Sequence, residues 1–142
     1  MKREIKFRGR NKDGKWLYGN LAKDTFYVRD LKFTSSVIFD NLQSFNTDNF
    51  GLVVKDCSVE DDTVGQYIGL HDKNGKEIYE GDILRMCNTD EDDVYWDTRV
   101  GVGGVVYCST CDYDYTLLKW VDDYIEYEVI GNIYDNPDLK NE

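Results

Sequence analysis

The sequence predicts a mainly β fold with little helix, on three observations. Val, Ile, Thr and the aromatic residues together number 49 of 142 positions, and these are the side chains that suit a pleated, half-buried surface. Helix formers are scarce, with one Ala, two Met and two Gln. Two tight-hairpin signals, Asp13-Gly14 and Asn74-Gly75, stand between apolar runs that roughly alternate. Leu, Ile, Val and Phe number 37, enough for a chain of this length to build a core.

Two segments anchor the strand assignment. Phe7-Arg-Gly-Arg-Asn-Lys-Asp-Gly-Lys-Trp-Leu-Tyr-Gly-Asn-Leu21 and Tyr67-Ile-Gly-Leu-His-Asp-Lys-Asn-Gly-Lys-Glu-Ile-Tyr-Glu-Gly-Asp-Ile83 align once His71 and Glu80 are treated as insertions. Both carry Asn/Asp-Lys-Asp/Asn-Gly-Lys at the centre. Asp13-Gly14 and Asn74-Gly75 tolerate the positive φ of a tight turn, and the flanking apolar residues roughly alternate. Two hairpins are therefore expected, over 5–21 and 66–85. Duplication and shared hairpin chemistry explain the likeness equally well.

Between them, 25–29 and 52–55 read as short strands and 44–49 as a loop. Residues 31–42 suit either a strand or a helical turn. Ser58, followed by Val59-Glu60-Asp61-Asp62, reads as the N-cap of one helical turn with acids at its start. Asn88-Thr-Asp-Glu-Asp-Asp93 reads as a loop. Strands are expected at 94–96, 100–108, 115–121 and 124–131, the second interrupted by Gly101, Gly103 and Gly104 as a bulge or bend. Glu80-Gly-Asp-Ile-Leu84 is expected to open a core strand with Asp82 at a turn and Ile83 buried. Ile78, Val105 and Tyr107 are taken as its apolar companions. Asn136-Pro137 suggests a last short turn. The division expected is a hairpin region over 1–58 and a second domain over 59–142.

Seventeen basic residues against 28 acidic give a net charge of −11 and a pI near 4.5. Such a chain repels nucleic acid at long range, so direct nucleic-acid binding is disfavoured. The charge is uneven: residues 1–23 net +6 and residues 24–142 net −17. Pairing of the basic segment with the acidic body is the simpler reading. No stretch approaches the ~20 apolar residues of a membrane span, and Met1-Lys-Arg-Glu-Ile-Lys lacks the apolar run of a signal peptide. A cytoplasmic location is expected, with Cys57, Cys87, Cys108 and Cys111 as reduced thiols.

Three blocks resemble the phage and prophage YopX family: Ile5-Lys-Phe-Arg-Gly9 with Trp16-Leu-Tyr-Gly-Asn-Leu21, then residues 63–84, then Glu128-Val-Ile-Gly-Asn-Ile-Tyr-Asp-Asn-Pro-Asp-Leu139. They cover somewhat under half of the chain, and the central block is long and distinctive. The resemblance implies a small β-rich protein of phage or prophage origin with an SH3-like barrel in its C-terminal half, formed mainly by residues 65–135. It carries over no catalytic residue.

The chemistry-bearing residues do not assemble into a reaction motif. Cys108-Ser-Thr-Cys111 lacks a second CxxC, and Cys57 and Cys87 lie far apart, so no zinc site is expected. Asp112 and Asp114 follow it where a redox motif needs a helix start, and a hairpin turn with incidental cysteines is the simpler account. His71, the one histidine, reads as an exposed loop residue. The acids at 61–62, 90–93, 112/114 and 122–123 lack the spacing of a calcium loop and suit a solvated surface. Val100-Gly-Val-Gly-Gly104 has no Lys-Ser/Thr after it and is no phosphate loop.

What remains is aromatic excess. Eleven Tyr and three Trp exceed the needs of a small core, and Tyr107, Tyr113, Tyr115, Tyr124 and Tyr127 cluster late in the chain. The expected function is therefore a non-enzymatic protein-binding or assembly module without cofactor. The acidic body leaves a DNA mimic or nucleic-acid-associated accessory protein as the alternative, with an enzyme third. The contact residues expected are Tyr67, Asp72, Lys73, Tyr79 and Trp120. Homo-oligomerisation is expected from open strand edges and from Phe26, Phe33, Phe39, Phe45 and Phe50.

Overall fold

Glycine-centred turns and β-branched runs organise the chain into strands. The structure, a computed structural model, describes residues 4–39, 57–90, 94–108 and 115–138, without the side chains of 24–28, 33–35 and 39. Among the described residues are eleven strands and three short 3-10 turns, so the fold is mainly β. The chain divides into two units, residues 2–66 and 67–142.

In the first unit, β1 (Phe7–Arg10) and β2 (Trp16–Val28) form the first expected hairpin, with Phe7 opposite Gly19 and Arg10 opposite Trp16. Strand β2 continues into a second hairpin with β3 (Leu31–Phe39), turning at Arg29, whose φ is 56°. Residues 31–39 are thus strand throughout. The short β4 (Ser58–Val59) pairs with Ser36 and Val37 of β3.

Ser58 is not a helix cap. Its backbone is held in that ladder, and the helical turn begins later, as a 3-10 turn over Asp61–Thr63 with no side-chain cap. Thr63, 2% exposed, fastens this turn: its Oγ1 donates to Glu60 O (2.7 Å) and accepts from Arg10 N (2.9 Å). Gly9 is fixed by close approach. A Cβ there would lie 2.8 Å from Val59 Cγ2 and 3.1 Å from Ile38 Cδ1. On the other side of β1, Gly65 and Gln66, the first residues of β5 (Gly65–His71), pair with Arg8 and Phe7. The sequence division at 58/59 falls inside β4 and parts Val59 and the turn Asp61–Thr63 from the strands they bond to. The two units divide instead at 66/67.

In the second unit, the rest of β5 pairs with β6 (Glu77–Tyr79) in the second expected hairpin. Then β7 (Asp82–Asn88) lies between β11 (Ile125–Asn132) and β8 (Val94–Arg99) in a three-stranded antiparallel sheet. A ribbon of β9 (Val105–Tyr107) and β10 (Tyr115–Leu117) completes the strands. The glycine run forms a 3-10 turn, Val102–Gly104, which ends one strand before β9 begins. The core holds Ile68, Ile78, Leu84, Met86, Val100, Val106, Cys108, Leu118 and Ile125.

Asp82 and Ile83 stand as the sequence predicts. Asp82 Oδ2 accepts from Tyr79 N (2.8 Å) across the turn, and Ile83 is 1% exposed. The parity of β9 is the reverse of expectation: Val106 is the buried residue, while Val105 and Tyr107 are 36% and 37% exposed. A Val-Val-Tyr run is apolar on both faces, so alternation cannot select the inward one. Near the C-terminus, Asn132 organises one turn, its Oδ1 accepting from Tyr134 N (3.0 Å) and Asp135 N (2.9 Å), and the chain turns again over 137–138 directly after Asn136, as the Asn136-Pro137 pair predicts.

The space around Gly9 yields a direct test. Gly9→Ala forces Val59 and Ile38 apart and is expected to destabilise the protein by about 1–3 kcal/mol, the usual cost of overpacking. Urea denaturation of the two proteins checks it.

Candidate functional site

The five expected contact residues all fall in the second unit, and the structure sorts them into two groups. Tyr67 and Tyr79 face each other across β5 and β6 with ring centroids 5.7 Å apart, and they are 4% and 2% exposed. Tyr79 Oη donates to Glu77 Oε1 (3.1 Å), and Tyr67 Oη lies 3.4 Å from His71 Nδ1. These rings are buried packing, and their assignment as surface contacts is corrected. His71 itself is exposed, as expected for its place beside the turn.

Asp72 is also buried, at 7% exposure, and its role is to hold the turn. The turns at 11–15 and 72–76 are built alike. Asn11 Oδ1 accepts from Asp13 N (3.0 Å) and Lys15 N (2.9 Å), and Asp72 Oδ1 accepts from Asn74 N and Lys76 N (both 2.9 Å). In each, the first residue's N–H donates to the fifth residue's carbonyl, and the glycine N–H donates back to the first residue's carbonyl. Gly14 and Gly75 have φ of 82° and 85°, where a side chain is strained.

Asp72 has one oxygen more to offer than Asn11. Its Oδ2 accepts from Val129 N (2.9 Å), and Lys73 N donates to Tyr127 O (3.1 Å). The hairpin tip therefore closes the outer edge of β11. Lys73 Nζ lies 3.8 Å from Glu128 Oε2, and Asn74 Nδ2 donates to Glu128 Oε1 (3.2 Å). Burial pushes the Asp72 carboxyl up, but the N–H groups of Val129, Lys76 and Asn74, with the Lys76 charge, outweigh it and leave the pKa lowered. Burial, then the Asp72 charge, raises the Tyr127 phenol.

Trp120 is on the surface. It is 69% exposed in the 3-10 turn Leu118–Trp120, with Lys119 Nζ 5.7 Å from its ring centroid. It has exposed aromatic company that the sequence did not place as contacts. Tyr107 and Tyr115 stand opposite each other on β9 and β10, their rings edge to face at 5.4 Å, and Tyr115 is 69% exposed. Trp96 Nε1 donates to Tyr107 O (3.0 Å) and Thr98 Oγ1 accepts from Tyr107 N (2.9 Å), which seats β9 against β8. On β8, Tyr95 is 61% exposed and joins Arg85, Trp96 and Asp97 in lining a shallow cleft. Arg85 donates twice to Asp97, through Nε (3.0 Å) and Nη2 (3.2 Å). The clustering of late tyrosines was the one available signal, and Tyr113 of that cluster lies outside the described residues.

Charge separates the units sharply. Residues 67–142 carry six Lys or Arg against 18 Asp or Glu, a net of −12, whereas residues 2–66 carry eleven against ten, a net of +1. Cys57 and Cys87 are free thiols but Cys108 is disulfide-bonded, which corrects the expectation of four reduced cysteines. The rest of the CxxC lies outside the described residues, as do the side chains of the five phenylalanines invoked for self-association. Among the described residues, no group of three or more His, Cys, Asp or Glu is arranged to hold a metal ion. No helix there is long and apolar enough to cross a membrane.

A family model described as YopX protein matches residues 6–140, and the chain belongs to that family. Among solved structures, it is similar to protein EF1440 from Enterococcus faecalis, at 20% identity and a TM-score of 0.45 over 97% of this chain and 99% of that one. No curated protein matches it.

Two outcomes follow from the geometry. Asp72→Asn keeps the turn, as Asn11 shows, but sets an amide donor against Val129 N–H. It is expected to cost about 1.5–3 kcal/mol, the range for a hydrogen bond to a charged group. Because the folded pKa is lowered, this contribution is complete above the unfolded value and is lost as pH falls through the folded one. The stability gap between wild type and Asp72→Asn in urea should therefore close as pH drops below the ordinary aspartate range. Tyr79→Ala empties a buried site and is expected to cost about 3–5 kcal/mol, read as a fall in the thermal midpoint.

Proposed function

We propose that this YopX-family chain is a non-enzymatic protein-binding module, encoded by a phage or prophage and acting in the host cytoplasm, with an SH3-like barrel as its second unit. The observation that carries this reading is the exposed aromatic surface of that unit. Tyr107 and Tyr115 form an outward-facing pair on one ribbon, and Tyr95 and Trp120 are each more than half exposed. Exposed aromatic rings supply large contact area at low entropic cost and are enriched at protein interfaces. The buried polar groups support the same reading. Asp72, Asp82 and Thr63 hold turns through hydrogen bonds of 2.7–2.9 Å, so these groups serve the fold.

The charge of −12 on the second unit favours the alternative of an acidic DNA mimic. Co-purification from host lysate at low and high salt separates the two. The module reading expects a salt-resistant partner that is retained by wild type and lost from Tyr115→Ala and Trp120→Ala, both of which should fold normally because each side chain is 69% exposed. A DNA-binding protein as sole prey, released by salt and indifferent to both substitutions, would establish mimicry instead.

A further inference from the structure

The ribbon of β9 and β10 has one side seated on its neighbour. Val105 O accepts from Gly101 N (2.8 Å), Tyr107 O accepts from Trp96 Nε1 (3.0 Å) and Tyr107 N donates to Thr98 Oγ1 (2.9 Å). These three backbone groups of β9 therefore turn toward β8 and away from β10. On the far side, β10 is the last strand of the ribbon among the described residues.

Those bonds fix the parity of the ladder. Val105 stands opposite Leu117, Val106 opposite Thr116 and Tyr107 opposite Tyr115. Hydrogen-bonded and non-bonded pairs alternate along an antiparallel ladder. Val105 and Tyr107 use their groups on the β8 side, so Val106 with Thr116 is the bonded pair. Tyr115 and Leu117 then direct N–H and C=O away from β9. Among the described residues, no hydrogen bond takes these outward groups. The backbone at Leu117 is still extended, with φ −67° and ψ 137°, before the chain enters the turn Leu118–Trp120.

We infer that this edge pairs with the same edge of a second copy of the chain, β10 against β10, antiparallel about a two-fold axis at Thr116. The inference goes beyond the binding-module reading and does not depend on it. Both outward residues of each strand find outward residues in the other only when Tyr115 lies opposite Leu117 of the second copy. That register makes four main-chain hydrogen bonds. It also sets Thr116 against Thr116 as the non-bonded pair, where side chains approach most nearly and Thr–Thr contacts are favourable.

The side chains agree with this occupant. Val105, Tyr107, Tyr115 and Leu117 share one face of the ribbon, and the first three are exposed. Pairing brings Tyr107, Tyr115, Leu117 and Val105 into one row across the two copies, apolar or aromatic at every place. None of the six residues of β9 and β10 is charged, in a unit that carries −12. These residues offer no opposite charge to an acidic or basic segment, and two copies set no like charges against each other along them. Two chains of −11 repel at long range, and salt screens that repulsion while leaving main-chain hydrogen bonds in place. The dimer therefore tightens as salt is added.

The test uses the full chain. Sedimentation equilibrium is expected to show a monomer–dimer equilibrium with the dimer populated at about 100 μM and above, as for a small, transient interface. Raising sodium chloride from about 50 to 500 mM should strengthen it by about threefold or more. Amide exchange followed by NMR supplies the location. Protection of Tyr115 and Leu117 should rise about tenfold or more with chain concentration, whereas Val106 and Thr116 are protected at every concentration. Leu117→Pro removes the outward N–H at a φ that proline already adopts. By symmetry it deletes two hydrogen bonds per dimer and should weaken association by about tenfold or more. If that variant fails to fold by circular dichroism, the exchange result on wild type decides.

A monomer at about 500 μM in high salt, a concentration at which even a weak dimer is populated, overturns the inference. So does a dimer whose Tyr115 and Leu117 amides exchange alike at all concentrations, or one indifferent to a folded Leu117→Pro. Any of these leaves a Tyr115-dependent lysate partner, and so the module reading, standing. A dimer protected at Tyr115 and Leu117 together with a lysate partner indifferent to Tyr115 and Trp120 supports the inference and removes the module reading.

Discussion

The carboxylate of Asp72 is the interaction on which the second unit's architecture depends. One oxygen organises its own turn through Asn74 N and Lys76 N, and the other reaches Val129 N on β11. A local turn is thereby joined to a strand more than fifty residues away in sequence. Three N–H donors more than offset the cost of burying the charge, which is why an acid at 7% exposure keeps a lowered pKa. Because β11 pairs with β7 and β7 with β8, the same bond fixes the hairpin tip to one edge of the three-stranded sheet.

Comparison with Asn11 isolates what the carboxylate adds. The two five-residue turns share their side-chain and main-chain hydrogen bonds and their positive-φ glycine. An amide is sufficient for a turn that caps only itself, because one acceptor oxygen receives both N–H groups. A turn that also receives a donor from another strand needs a second acceptor, and only the acid has one. The identical geometry is what the shared Asn/Asp-Lys-Asp/Asn-Gly-Lys pattern requires of any hairpin, so it is compatible with duplication and with independent origin alike.

The aromatic residues divide by position rather than by type. Tyr67 and Tyr79 lie on facing strands of a hairpin whose inner side is core, so their rings stack inside and their hydroxyls reach polar partners at the rim. Tyr107 and Tyr115 also face each other across a ribbon, yet Val106 takes the inward place and the tyrosines are turned out. Both pairs satisfy the same cross-strand preference. Only the second contributes to a surface, and it does so in the more acidic unit.

Local chemistry made much of this legible from residues alone. Asp13-Gly14 and Asn74-Gly75 specify tight turns wherever they fall, and the flanking alternation specifies strands, because both effects act over a few bonds. Asp82 at its turn and Ile83 in the core follow from the same short-range logic. The tertiary structure decided the rest. Ser58 suits a helix start by its own chemistry, and β3 claimed its backbone for a ladder. The Val105-Val106-Tyr107 run is apolar on both faces, so its parity was set by which side met the core. The second oxygen of Asp72 found its partner only once β11 was beside it. Whether a tyrosine is packing or surface, and whether a strand edge is covered or open, depends on residues far apart in sequence, and no local pattern of side chains encodes that.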